Sequence, residues 1–344
     1  MCERSRPQDP ARERGSTQPC DLADLPYPRA VTTDPWRRAE GRLIPGAARL
    51  LDVSLVPLLR GTGDVTLRRT STGWWRAVRT PDGPGLQHLV RADADVRVDA
   101  WGPGASWLVD QSPRLLGQHD MLDGFEPRHH PLVAEAHRRR AWLRLGRTDL
   151  LLDALAPASI EQVVTGKEAF RAQRLLVLRF GDAAGGPAQE PGHPAHGMRL
   201  PLSAEQWLAV PSWEFLKAGV ESRRSRALLA GARADHSLER LALDDGPGDP
   251  DTALRSLPGV GPWTSAQVRQ RALGDADAWS IGDYHAGKQI SYAFTGEALD
   301  DAAAEHLLEP FRGHRFRVER LVLSLVAGPA RRGPRRTLPT HLPR

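Results

Sequence analysis

The stretch that constrains the fold most is Leu257-Pro258-Gly259-Val260-Gly261, followed at once by Pro262. Upstream, "DPDTALRS" puts an aspartate at a cap position before helix formers, so a short helix is expected to end near Leu257. Two glycines one residue apart allow a sharp turn with positive φ and leave backbone amides unscreened by side chains. Pro262 occupies a favoured first helical position, and "WTSAQVRQRAL" continues as helix. The pattern is helix, hairpin, helix, with N–H groups and a helix N-terminus facing outward. An anion fits there, and a phosphate diester would be held without its sequence being read. Downstream, "IGDYH" places a lone acid, Asp283, at the start of another helix.

The rest of the chain divides by pattern. Residues 1–35, rich in Pro, Arg, Asp and Ser, read as a disordered tail. Over 36–112, short β-type segments at Asp64–Thr70, Gly73–Thr80, Leu86–Ala92 and Asp95–Gly102 alternate with Gly, Pro and Asp turns. They predict a small antiparallel sheet with one or two helices against it. Residues 113–330 read as helical, with segments at Pro131–Gly146, Thr148–Gly166 (broken or bent at Pro157) and Lys167–Gly181, then two short helices in "SAEQWLAV" and "SRRSRALLAGARA". "DAAGGPAQEPGHPAHG" reads as a loop, and 331–344 as a basic, proline-rich tail whose five arginines (331, 332, 335, 336 and 344) are expected on phosphates. The fold class is therefore α+β: a β-rich N-terminal domain followed by an all-helical core.

Composition excludes several function classes. No run of 18 apolar residues exists, which argues against a membrane span, and the first twenty residues hold no apolar stretch of the secretory kind. Two cysteines, Cys2 and Cys20, cannot build a disulfide framework, a four-cysteine zinc site or an iron–sulfur cluster, and a reducing cytoplasm is expected. His129–His130 and the pair His193 and His196 lack partners at metal-ligand spacing and read as loop histidines. A net charge of +5 does not by itself imply nucleic acid.

"LPGVGPWTSAQV…GDYHAGKQ" resembles the hairpin-to-aspartate signature of the helix-hairpin-helix (HhH-GPD) DNA glycosylase superfamily, and within it the 3-methyladenine DNA glycosylase II (AlkA-like) branch. The resemblance runs from about Pro131 to Val326, with "ALAPASIEQVVTGKEAFRAQRLLVLRFG" similar to the first core helices and the DNA-wedge loop. It implies a monomeric enzyme of base excision repair that acts on double-stranded DNA, everts a damaged nucleotide and hydrolyses its N-glycosidic bond without a cofactor. Backbone carbonyls at Leu257 and Gly259 are where such hairpins hold a monovalent cation.

By the same resemblance Asp283 is the catalytic carboxylate, facing the oxocarbenium character that develops on the sugar. An aspartate before a helix is also an ordinary N-cap, and the two roles can coexist. Two residues beyond Gly261, where superfamily members that also nick DNA carry a Schiff-base lysine, this chain has Trp263. That implies a monofunctional enzyme. Trp263 is either core packing or a face for a cationic alkylated purine, with cation–π attraction of about 0.5–2 kcal/mol. Gln267 stands where the family pattern has an aromatic, and Leu323 is aliphatic where another is expected, so Tyr284 or Trp213 could complete the base pocket. Gln162 and Val163 match the wedge. Leu257, Gly259, Val260, Gly261, Thr264, Lys288 and Arg315 are the remaining expected DNA contacts, with Arg269, Arg271 and the other basic residues of Arg312–Arg317 as further candidates. Excision of alkylated purines, 3-methyladenine first, is the leading expectation. A glycosylase for a deaminated or oxidised base, or a DNA-binding protein without turnover, stands beside it.

Overall fold

The structure, a computed structural model, describes residues 35–39, 41–243 and 248–326. The two cysteines, the N-terminal tail and the basic C-terminal tail lie outside the described residues. Five antiparallel strands form one sheet: β1 (Arg42–Ile44), β2 (Leu67–Thr70), β3 (Gly73–Thr80), β4 (Gly83–Ala92) and β5 (Asp95–Trp101), in the order β1-β5-β4-β3-β2. The central strands β3 and β4 pair Trp74 with Leu89 and Ala77 with Leu86.

Both faces of this sheet are covered, which is why β3 is almost continuously buried rather than alternating. On one face Trp74, Val78, Leu89 and Val98 pack against α1 (Leu50–Leu55) and α2 (Ala105–Leu115). On the other, Trp75, Ala77 and Leu86 pack against Ala184, Ala188, Ala195, Met198 and Leu200. The segment read as a loop from its glycines and prolines is thus a packed cover, even though it contains only a short 3₁₀ turn at Gly186–Gln189 and one isolated bridge, Ala183 to Arg199.

Among the described residues everything after Trp101 is otherwise helical or irregular. The helices are α3 (Pro131–Arg139), α4 (Leu151–Ile160), α5 (Gly166–Phe180), α6 (Ala204–Ala209), α7 (Ser212–Ala218), α8 (Ser222–Arg233), α9 (Asp235–Leu241), α10 (Pro250–Arg255), α11 (Pro262–Val268), α12 (Ala286–Thr295), α13 (Asp301–Leu308) and α14 (Arg315–Leu323). Local chemistry sets their starts. Thr165 with Glu168, and Ser203 with Gln206, form capping boxes for α5 and α6, and His130 accepts from the Leu132 N–H to cap α3. The helix expected over Pro131–Gly146 stops at Arg139. Pro157, where a break or a bend was expected, is buried inside α4, which continues through it from Leu151 to Ile160.

The hydrophobic stripe of α4 is the hub. Leu151, Ala154, Leu155 and Ala158 meet Ala227 of α8, Leu254 of α10, Val260 of the hairpin and Val268 of α11. A Cβ at Gly231 would come within 2.2 Å of Leu155 Cδ2, so this glycine sets how closely α8 approaches α4. A π-helical turn, Arg269–Leu273, continues α11. Its carbonyls accept N–H groups from the chain entering α4, Thr148 to Arg271 at 3.0 Å and Asp149 to Ala272 at 2.9 Å. A second cluster joins Val133, Trp279, Ile290, Leu308, Phe311, Val318 and Val322 and seats α12 to α14.

Candidate active site at the hairpin

Only one of the two hairpin glycines needs its freedom. Gly259 has φ +87°, and a Cβ there would lie 3.0 Å from Ala227 Cβ; Gly261 is extended at φ −95°, with open space where a Cβ would be. The Val260 N–H, expected on a phosphate, donates instead to the Leu257 carbonyl at 3.1 Å, and its side chain is buried with the α4 cluster. Val260 therefore anchors the hairpin. The amides of Gly259 and Gly261 have no protein acceptor among the described residues and are the ones left for an anion.

Next to the hairpin runs the loop between α4 and α5. Gln162 Nε2 donates to the Gly259 carbonyl at 3.1 Å and to Thr264 Oγ1 at 2.9 Å. Gln162 is thus the tie between loop and hairpin, and Thr264, expected on DNA, is buried and anchors that tie. Val163 stands clear, 96% exposed, with φ +56°. A β-branched residue in the left-handed region is strained, and such strain persists only where its surroundings enforce it.

Asp283 is fixed from two sides. Its Oδ1 accepts the N–H groups of His285 (2.8 Å) and Ala286 (3.0 Å), capping α12, while its Oδ2 accepts the indole N–H of Trp263 at 3.0 Å. Cap and oriented carboxylate are the same side chain. Trp263 is neither simple core packing nor only a π face, because its N–H aims the acid. Tyr284, expected in the base pocket, is instead 75% exposed, with Lys288 Nζ 4.3 Å from its ring centroid. Trp213, the other suggestion, stands exposed on α7.

A cavity of about 210 Å³ lies within electrostatic reach of Asp283. Its walls come from Gln267, Gln270 and Arg271 after the hairpin, Phe316, Glu319 and Arg320 on α14, and Ser54 on α1. Gln267, expected to touch the base, has both ends occupied: its amide donates to Ser280 Oγ at 2.7 Å and its oxygen accepts from Arg271. Burial, reinforced by the charge of Asp283, pushes the Glu319 carboxyl up to about 7. Burial and the nearby Arg60 push Arg271 down to about 10. A larger cavity of about 830 Å³ is lined by residues of the sheet, α2, α4 and α9 and includes no hairpin residue.

Most expected phosphate contacts are already paired. Arg315 forms a two-pronged ion pair with Asp277 at 2.7 and 2.5 Å, Arg317 binds Asp120, Arg312 binds Glu309, and Arg269 binds Asp275 and Asp251. Lys288 is exposed and has no carboxylate partner among the described residues. No group of three or more His, Cys, Asp or Glu residues is placed to hold a metal among the described residues. The residues that sequence reasoning missed are Phe316, Glu319 and Arg320. Their spacing of three and four on one helix marks a shared face, but nothing in the sequence says that the face meets a cavity.

No family model and no curated protein matches the sequence. Solved structures do. The 3-methyladenine DNA glycosylase from Archaeoglobus fulgidus aligns over 83% of this chain and 97% of its own, with a TM-score of 0.64 at 17% identity. The Clostridium acetobutylicum 8-oxoguanine glycosylase/lyase, bound to double-stranded DNA with cytosine opposite 8-oxoG, aligns over 77% of this chain and 88% of its own (TM-score 0.57, 11% identity). MBOgg1 in complex with a low-affinity DNA ligand aligns over 83% and 96% (TM-score 0.60, 12% identity). At these identities the likeness establishes the fold.

Proposed function

We propose that this chain, whose fold is that of the helix-hairpin-helix DNA glycosylases, is a monofunctional DNA glycosylase of base excision repair. The observation that carries the proposal is the fixed carboxylate of Asp283, held by Trp263 of the hairpin helix and within electrostatic reach of a cavity lined by both polar and apolar side chains. A nucleotide everted from the duplex puts its base toward that cavity and its C1′ near Asp283. As the glycosidic bond lengthens, the carboxylate stabilises the sugar cation and orients the attacking water. The free amides of Gly259 and Gly261 take a backbone phosphate, with Lys288 a further contact. Each of the Leu257 and Gly259 carbonyls accepts one hydrogen bond and keeps a lone pair for a monovalent cation, which would stiffen the turn. The chain has three lysines, Lys167, Lys217 and Lys288, and none lies in the hairpin, so no Schiff base forms there and the strand stays intact. Trp263 favours cationic alkylated purines, with 3-methyladenine first. The arginines and glutamate of the cavity favour a second class of base.

Val163 is the wedge that fills the gap left by the everted nucleotide. Val163→Gly relieves the left-handed backbone, so the denaturation midpoint is expected to hold or rise. The same change removes the apolar plug, so base release from a fully paired duplex is expected to fall about tenfold, equivalent to ~1.4 kcal/mol of flipping cost, and far less from a mispaired lesion. Single-turnover rates on the two duplexes check this. Equal loss on both, or loss of folding, would remove the wedge from the account.

A further inference from the structure

Two buried polar atoms of the residues lining the 210 Å³ cavity have no hydrogen-bond partner among the described residues: Glu319 Oε2 and Ser54 Oγ. A native interior seldom leaves such atoms unmatched, so their grouping in one cavity points to a ligand that completes them. The two guanidinium groups facing the same space, Arg271 and Arg320, bond backbone carbonyls of Pro57, Gln267 and Val53 but have no carboxylate within ion-pair distance among the described residues. Such donors suit carbonyl oxygen and disfavour a cationic base.

We infer that Glu319 is a second catalytic carboxyl, an acid that protonates the departing base, and that the cavity accepts neutral purine lesions carrying a ring carbonyl, of the hypoxanthine type. This rests on the glycosylase reading above. A cationic alkylated purine leaves as a neutral molecule and needs no proton. A neutral purine would leave as an anion. As its bond to C1′ breaks, the bonding pair moves into the ring, and the Glu319 O–H proton passes to a ring nitrogen. Water oxygen bonds to C1′, its proton goes by way of Asp283 to solvent, and Glu319 is reprotonated from solvent. The sum is hydrolysis. A carboxyl that burial keeps protonated can serve as the acid while a second carboxyl, held by hydrogen bonds from Trp263, His285 and Ala286, acts on the sugar. Arg271 on the π turn, Arg144 on the loop after α3 and Arg320 on its own helix are the charged groups that share the cavity with Glu319, and Asp283 acts on it from electrostatic range.

The test uses duplexes containing hypoxanthine or 7-methylguanine, with the full-length wild type, Glu319→Gln and Glu319→Asp. The wild-type single-turnover rate on hypoxanthine should be level below pH 7 and fall above it. Glu319→Gln should be about 10²-fold slower on hypoxanthine at pH 6 with a flat profile, Glu319→Asp should restore the pH dependence, and both variants should lose far less on 7-methylguanine than on hypoxanthine. Binding to a duplex with an abasic-site analogue serves as the folding control. Stability offers an independent readout. Between pH 4.5 and about 7 the folded protein keeps a Glu319 proton that the unfolded chain has lost, so wild-type stability falls across that window, and Glu319→Gln removes the slope. Hypoxanthine release with the wild-type rate and profile in Glu319→Gln overturns the inference, as does wild-type release of 7-methylguanine alone. Release of neither base also overturns the inference, and a 3-methyladenine duplex assayed in parallel separates the two failures: release there leaves the glycosylase reading standing, and no release there overturns it as well.

Discussion

Asp283→Asn is expected to lower base release by about 10²–10⁴-fold, the range over which a positioned acid–base group acts, while duplex binding persists. The amide oxygen of asparagine can still cap α12 by accepting the N–H groups of His285 and Ala286. What is lost is the negative charge that the proposed mechanism sets against the sugar cation. The Trp263 N–H also loses its acceptor, because an amide NH₂ would face it across 3.0 Å. An unmatched donor of this kind costs about 1–3 kcal/mol when buried, and less here because the pair is only partly buried. Stability should therefore fall slightly and activity almost entirely. Comparable losses in both, measured by denaturant midpoint and single-turnover rate, would make Asp283 a structural cap only.

Asp120→Ala should produce the largest loss of stability, about 3–5 kcal/mol. Arg317 is 1% exposed, and its two terminal nitrogens each donate to an Asp120 oxygen at 2.6 Å. Asp120 also accepts the Leu145 N–H at 2.9 Å, and His314 Nδ1 accepts from Arg317 Nε at 3.1 Å. Removing the carboxylate leaves a guanidinium charge buried without a counterion. The loss should reach function as well, because α14 carries Phe316, Glu319 and Arg320 into the cavity wall. Arg317→Met, which removes the charge together with much of its desolvation cost, should be milder than Asp120→Ala. Equal effects from the two changes would show that packing, not the uncompensated charge, sets the cost.

The hairpin and Asp283 are legible in the sequence because they are local. Their glycines, Pro262 and the cap define backbone geometry within a few residues. Strand β3 coincides with the expected Gly73–Thr80, since Trp, Val and turn residues bound it on both sides. Strand β1 has three residues, two of them exposed, and offers no periodicity to read. The cavity walled by α14 is not legible in the sequence. Its walls come from α1 and the turn after it, from Leu115 of α2, from the segment that leads into α4, from residues after the hairpin and from α14, positions brought together only by tertiary packing. The basic run Arg312–Arg317 reads as a phosphate-binding stretch by composition. The partners Asp120 and Asp277, 197 and 38 positions away, turn Arg317 and Arg315 into struts. Val163 lay between these cases: the loop was recognisable, but its left-handed backbone and near-complete exposure belong to the folded chain.

The most direct test of the central claim is product analysis on lesion-bearing duplexes, with hypoxanthine, 3-methyladenine and 7-methylguanine assayed side by side. The expected products are free base and a strand that stays intact until alkali is added, with no covalent adduct on borohydride reduction. Tight duplex binding with no base released from any lesion, or strand cleavage without alkali, would contradict the claim.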